Sequence, residues 1–146
     1  MKVLILGAGQ LGSRYLQGLV HYPQPLEIWA LDVQPVSLTR AYHRWQEIGG
    51  KETTHSLRLI QTFNELPLLI DLAIVATTAD VRLQVVQTLV RRSTVRYWVL
   101  EKVLTQSVAQ IEQLQQAIMG AEGAWVNKLM RTNLRYQKLR ESITTR

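Results

Sequence analysis

Cysteine is absent from the chain. Disulfide scaffolds, thiolate nucleophiles and cysteine-ligated zinc are therefore excluded, and the composition suits a reducing compartment, so a cytoplasmic location is expected. Long apolar runs are absent as well. Stretches such as residues 3–6 and 72–76 fall far short of the ~20 residues a membrane-spanning helix needs, and no membrane partner is expected. The first residues carry one lysine and a short apolar run ending in glycines, which reads as a buried strand and not as a secretory leader. Histidine is scarce: His21, His43 and His55 stand far apart without ligand spacing, each reads as a helix-end or surface residue, and no metal site is expected. Dense basic clusters are missing too. The formal charge is +6, but Arg91-Arg92 is the one adjacent Arg/Lys pair and the other cations are spread as on solvated helix faces. Nucleic acid is therefore not an expected partner, although residues 128–146 are more basic than the rest.

Hydrophobic residues fill 47% of the 146 positions, enough for the core of a single domain. Strand-like and helix-like runs alternate. The patterns predict strands over residues 2–6, 26–31, 57–60, 71–76, 95–100 and 125–130. Helices are predicted over 11–20, 36–48, 81–91, 108–119 and 134–143, with one helical turn at 64–66 before Pro67. Leu11, Tyr15, Leu16 and Leu19 mark one face of the first helix, Gly49-Gly50 close the second, and Ser107 is placed to cap the helix at 108. Trp29, Trp98 and Trp125 fall in predicted strands and read as core, as Trp45 does on its helix. Wholly apolar strands separated by helices imply a mainly parallel sheet covered on both faces. With right-handed crossovers the fold class is α/β, a doubly wound six-stranded single domain.

The stretch GAGQLG, residues 7–12, joins the first predicted strand to the first predicted helix. In a nucleotide-binding unit of this kind Gly7 permits the tight turn, Gly9 lets a diphosphate approach the backbone, and Gly12 lets the helix pack against the strand. The neighbouring amides, those of Gln10 and Leu11, then meet phosphate oxygens at the positive end of the helix. Asp32 ends the second strand twenty residues after Gly12, where a carboxylate accepts hydrogen bonds from both hydroxyls of a ribose. These are the features of a dinucleotide-binding Rossmann fold; the plainer reading is a close-packed turn with a surface aspartate. The Asp32 charge repels a 2′-phosphate, and no Arg or Lys follows in Asp32-Val33-Gln34-Pro35, so NAD is favoured over NADP. Arg14, just inside the helix, either supports the phosphates or is solvated.

Thr77 and Thr78 follow the fourth strand, at the edge of the sheet where ligands of this fold lie. They line the cofactor, or Thr78 or Asp80 caps the next helix; both readings are open. Glu101-Lys102 ends the fifth strand. A lysine there stands near where a nicotinamide ring would project and can hydrogen-bond a substrate oxygen or share proton transfer as hydride moves, with Glu101 holding it or tuning its charge. The plainer reading is a surface Glu–Lys pair.

Taken together, GAGQLGSR (7–14), Asp32, DLAIVATTADVR (71–82), EKVLTQS (101–107) and WVNKLMRTNLRYQKLRESI (125–143) resemble the N-terminal half of the glucose–fructose oxidoreductase and inositol dehydrogenase (Gfo/Idh/MocA) family. The resemblance implies an NAD-binding Rossmann domain over residues 1–131 and a helix over 132–146 leading into a second domain. It implies Lys102 as the catalytic residue, Glu101 beside it in the cofactor site, and a sugar- or polyol-type substrate. Two departures carry expectations. Val103 stands where the family has proline, which re-aims Lys102. The family's C-terminal domain, with much of the substrate site, is not in the chain, so the chain is expected to be a truncated form or a short relative. A second copy or a separate partner is expected on the face that domain would cover. Two other readings are a dinucleotide-binding module without turnover and a methyltransferase-like nucleotide binder; the Glu101-Lys102 match speaks against the latter. A short-chain dehydrogenase is excluded because no Tyr-x-x-x-Lys occurs, and a P-loop because Gly50-Lys51 is followed by Glu52.

Overall fold

The run Val3-Leu4-Ile5-Leu6 has no polar side chain, and both of its faces are covered. In the computed structural model, which describes residues 1–128, it forms the centre of the sheet. The strands are β1 (Lys2–Leu6), β2 (Glu27–Leu31), β3 (Ser56–Ile60), β4 (Leu69–Val75), β5 (Thr94–Leu100) and β6 (Gly123–Val126). Between them lie α1 (Gln10–Leu19), α2 (Pro35–Glu47), α3 (Ala79–Arg92) and α4 (Val108–Ala117), with short 3-10 turns at Gly50–Glu52 and Phe63–Glu65. The sheet order is β3-β2-β1-β4-β5-β6, and every pairing is parallel. The expected doubly wound Rossmann fold is therefore the observed one.

Strand alternation divides the core in two. Leu4, Leu6, Trp29, Val75 and Trp98 face one side and pack with Val86 and Leu89 of α3 and Leu114 of α4. Val3, Ile5, Ile28, Ala30 and Ile74 face the other and pack with Leu16 of α1 and Leu38, Ala41 and Trp45 of α2. Proline at the first position of α2 suits a helix start, where no amide is needed. Ser107 caps α4 as expected, its hydroxyl accepting the Gln110 amide at 3.2 Å. The order reverses between β1 and β4, so the carboxyl ends of these strands open a crevice there.

Three expectations need correction. The sixth strand lies at 123–126 and not at 125–130, in register with residues 97–100 of β5, its one neighbour among the described residues. Trp125, read as core, is 52% exposed on this edge strand and stacks on Tyr97 at 5.9 Å between ring centres. Leu11, placed on the inner face of α1, is exposed; Gly12, Ser13 and Leu16 are the buried residues of that helix. Among the described residues no helix is long and apolar enough to cross a membrane. The predicted helix over 134–143 and the boundary between 131 and 132 lie outside the described residues.

Candidate functional site

The glycine loop owes its shape to two close approaches. Gly7 has φ +92°, and a Cβ there would meet the Thr77 amide nitrogen at 3.0 Å. A Cβ on Gly12 would stand 1.8 Å from the Gly7 carbonyl oxygen, so α1 presses directly onto the loop. Gly9 differs: among the described residues, its chain neighbours aside, a Cβ there would meet nothing within 4 Å. Gly9 occupies the N-cap position of α1 without a side chain to cap it. The first helical bond runs from the Ser13 amide to the Gly9 carbonyl at 3.0 Å. The amides of Gln10, Leu11 and Gly12 precede that bond and form the donor-rich, electropositive tip of the helix.

Asp32 is tied to this loop although 24 positions separate it from Ala8. Its Oδ2 accepts the Ala8 amide at 2.8 Å and its Oδ1 the Gln34 amide at 2.8 Å. Each oxygen keeps a second lone pair for another donor. Beside it opens a cleft of about 570 Å³, in the size range of cofactor sites. Gly9, Asp32 and Thr77 line it with Phe63, Val81 and Val85. Thr78 lines it too, and it occupies the N-cap position of α3 without a side-chain capping bond. The Thr77 hydroxyl oxygen is buried and has no hydrogen-bond partner among the described residues, an arrangement that a bound polar group would relieve.

The Glu101-Lys102 pair does not form the surface pair of the plainer reading. Glu101 is only 6% exposed, and its Oε1 accepts hydrogen bonds from the Tyr15 hydroxyl and from Asn127 Nδ2, the latter at 2.7 Å. Asn127 Nδ2 also donates to the Tyr15 oxygen. Burial first, then the Glu101 carboxylate, hold the Tyr15 hydroxyl well above its ordinary pKa. Lys102 is exposed, its peptide bond to Val103 is cis, and both residues lie beyond the lining of the cleft. The ion pairs of the described residues join Arg96 to Asp71 and to Glu122, toward the amino ends of β4, β5 and β6.

Arg82, Tyr15, Asn127, Arg44 and Phe63 escaped the sequence reading as site residues. Arg82 is 1% exposed and donates to the carbonyls of Thr77, Glu101, Val103 and Leu104, pinning the loops after β4 and β5 together. Burial pushes its pKa down, and the charge of Glu101 opposes that shift. The available signal was spacing: Arg82 shares one helical stripe with Val86 and Leu89. Arg44 brings a guanidinium to the first turn of α1, donating to the Gln10 carbonyl at 3.0 Å and to the Ser13 hydroxyl at 2.6 Å. Arg14 donates along its own helix to Gln17 at 2.6 Å and is exposed. Among the described residues no three His, Asp or Glu side chains gather as a metal site.

The sheet order, the crevice at its reversal and the open glycine loop define a Rossmann-type α/β domain with a preformed cleft. No family model matches the sequence, and no curated protein matches it. Solved structures do match the fold. The WlbA dehydrogenase from Bordetella pertussis, in complex with NADH and UDP-GlcNAcA, superposes with a TM-score of 0.74 at 16% identity over 99% of this chain and 42% of its own. Scyllo-inositol dehydrogenase from Lactobacillus casei, with bound NAD(H) and scyllo-inositol, gives 0.72 at 18% identity over 99% and 41%. The UDP-N-acetylglucosamine 3-dehydrogenase GnnA from Acidithiobacillus ferrooxidans gives 0.71 at 15% identity over 97% and 43%. At these identities the likeness establishes the fold. It falls on dehydrogenases, an inositol dehydrogenase among them, as the motifs led one to expect. The chain spans about 40% of the length of the structures it matches.

Proposed function

We propose that the chain binds NAD(H) and is the dinucleotide-binding domain of an oxidoreductase of the glucose–fructose oxidoreductase and inositol dehydrogenase type, acting on a sugar- or polyol-type substrate. In this reading the amides of Gln10 and Leu11, with that of Gly12, hold the diphosphate at the tip of α1, and Gly9 lets it approach. Asp32 accepts the ribose hydroxyls and repels a 2′-phosphate, so NAD is preferred to NADP. The adenine packs among Val81, Val85 and Phe63, and the Thr77 hydroxyl gains a partner. Bound nicotinamide would supply hydride acceptance; Lys102 hydrogen-bonds the substrate hydroxyl and takes up its proton as the hydride leaves the carbon. The face left open by a second domain takes that domain, a second copy or a partner.

The observation that carries the reading is the bond between Asp32 and the Ala8 amide. It joins the ribose-recognising carboxylate and the diphosphate loop into one rigid unit. Asp32→Asn, which keeps an acceptor and removes the charge, is expected to weaken NADH binding about 10-fold or more, since hydrogen bonds to a charged group contribute about 1.5–3 kcal/mol. It should also narrow the preference for NADH over NADPH. Fluorescence titration with both reads the effect; unchanged affinities in a folded variant would contradict it. That Lys102 lies beyond the lining of the cleft favours a second reading, cofactor binding without turnover. Tight NADH binding with no hydride transfer to any sugar or polyol would select it. A thermal shift with S-adenosylmethionine and none with NADH would instead favour the methyltransferase-like reading.

A further inference from the structure

We propose that Tyr15 and Asn127 are positioning residues for the carboxamide of a bound nicotinamide: they saturate one oxygen of Glu101 and leave the other to accept the carboxamide N–H. The inference rests on the NAD reading and extends it to the ring end of the cofactor.

Three elements converge on this carboxylate. Tyr15 comes from α1, Glu101 directly follows β5, and Asn127 directly follows β6. Oε1 of Glu101 accepts from both Tyr15 and Asn127, while the Asn127 amide also bonds the Tyr15 oxygen, closing the cluster. Among the described residues no donor reaches Oε2. Glu101 as a whole is almost fully buried, at 6% exposed. A carboxylate has about four acceptor positions, and here those on one oxygen are taken and those on the other remain. The backbone is fixed as firmly as the side chain, because Arg82 holds the Glu101 carbonyl. The raised pKa keeps the Tyr15 hydroxyl protonated, so it remains a donor.

The position matches the need. With the diphosphate at the tip of α1 and one ribose on Asp32, toward β2, the other half of a dinucleotide must run toward β4 and β5. Glu101 stands at that end. An acceptor-only group there favours a ligand presenting N–H and disfavours one presenting a carboxylate. The site therefore selects the amide of NAD over the acid of nicotinic acid adenine dinucleotide, in which that amide is replaced by a carboxylate.

The test is calorimetric titration of three ligands into wild type and Tyr15→Phe: NAD, nicotinic acid adenine dinucleotide and ADP-ribose, which lacks the ring. Tyr15→Phe is expected to weaken NAD about 10-fold, to leave ADP-ribose within about two-fold, and to narrow the preference for NAD over the acid. Glu101→Gln should abolish that preference. Equal losses for NAD and ADP-ribose in Tyr15→Phe would make Tyr15 a fold element and overturn the assignment. Unchanged affinity for both, or no preference for the amide in wild type, would overturn it as well. ADP-ribose binding by wild type alongside any of these failures leaves the dinucleotide reading standing; binding of none of the three ligands refutes that reading and the assignment together.

Discussion

Gly12→Ala is expected to lose about 3 kcal/mol of stability or more, because the new methyl cannot be placed without moving backbone. Its Cβ would stand 1.8 Å from the Gly7 carbonyl oxygen and 3.2 Å from the Ile5 side chain. Neither neighbour can yield easily. Gly7 is fixed by the hydrogen bond its amide donates to the Leu31 carbonyl at 2.8 Å, and Ile5 is fully buried in the sheet. Relief requires α1 to tilt away from β1, which opens the packing of Leu16 against the core. For a domain of this size 3 kcal/mol corresponds to a melting temperature lower by about 6–12 °C. Thermal unfolding followed by circular dichroism measures it. A loss under about 0.5 kcal/mol would mean that α1 does not sit this close to the loop.

Arg82→Met is expected to have an effect of similar or greater size, about 3–5 kcal/mol, for a different reason. Methionine fills much of the space of the arginine stem, so an empty cavity is not the main loss. The loss is electrostatic. The carbonyls of Thr77, Glu101, Val103 and Leu104 converge on one guanidinium and would be left with no donor from that side chain. The loops after β4 and β5 then separate, which carries Thr77 away from the cleft and Glu101 away from Tyr15. Arg82→Lys, with a point charge in place of a planar fork, should fall between wild type and Arg82→Met. Denaturant unfolding of the three proteins gives the ranking. A methionine variant as stable as the lysine variant would show that apolar packing, and not the clamp, is what Arg82 contributes.

What the sequence disclosed and what it hid follow from how far each signal reaches. β1 and β4 were readable because a strand covered on both faces must be apolar throughout, and no partner need be known to see it. The glycine loop and Asp32 were readable because their spacing is fixed by one strand, one turn and one helix. Trp125 misled because residue type was taken for burial; an edge strand with one neighbour leaves side chains exposed. Arg82 was hidden because a guanidinium reads as a polar face, although it sits in the buried stripe of α3 with Val86 and Leu89. Glu101 was singled out, but its burial and its partners were hidden more deeply. Its donors lie 86 positions earlier and 26 later, and only the closed sheet brings Tyr15 and Asn127 together around it.

The proposed seat of the diphosphate lies above Gly9 at the tip of α1. Calorimetric titration of NADH into wild type and Gly9→Ala tests that seat most directly. The substitution is expected to leave the fold alone: φ is −63°, not in the left-handed region that favours glycine, and among the described residues, its chain neighbours aside, the added Cβ meets nothing within 4 Å. Its melting temperature should stay within about 3 °C of wild type. The methyl instead fills the space a diphosphate needs, so NADH affinity should fall at least about 10-fold, or about 1.4 kcal/mol. Equal NADH affinity in the two folded proteins, or none in wild type, would contradict the account.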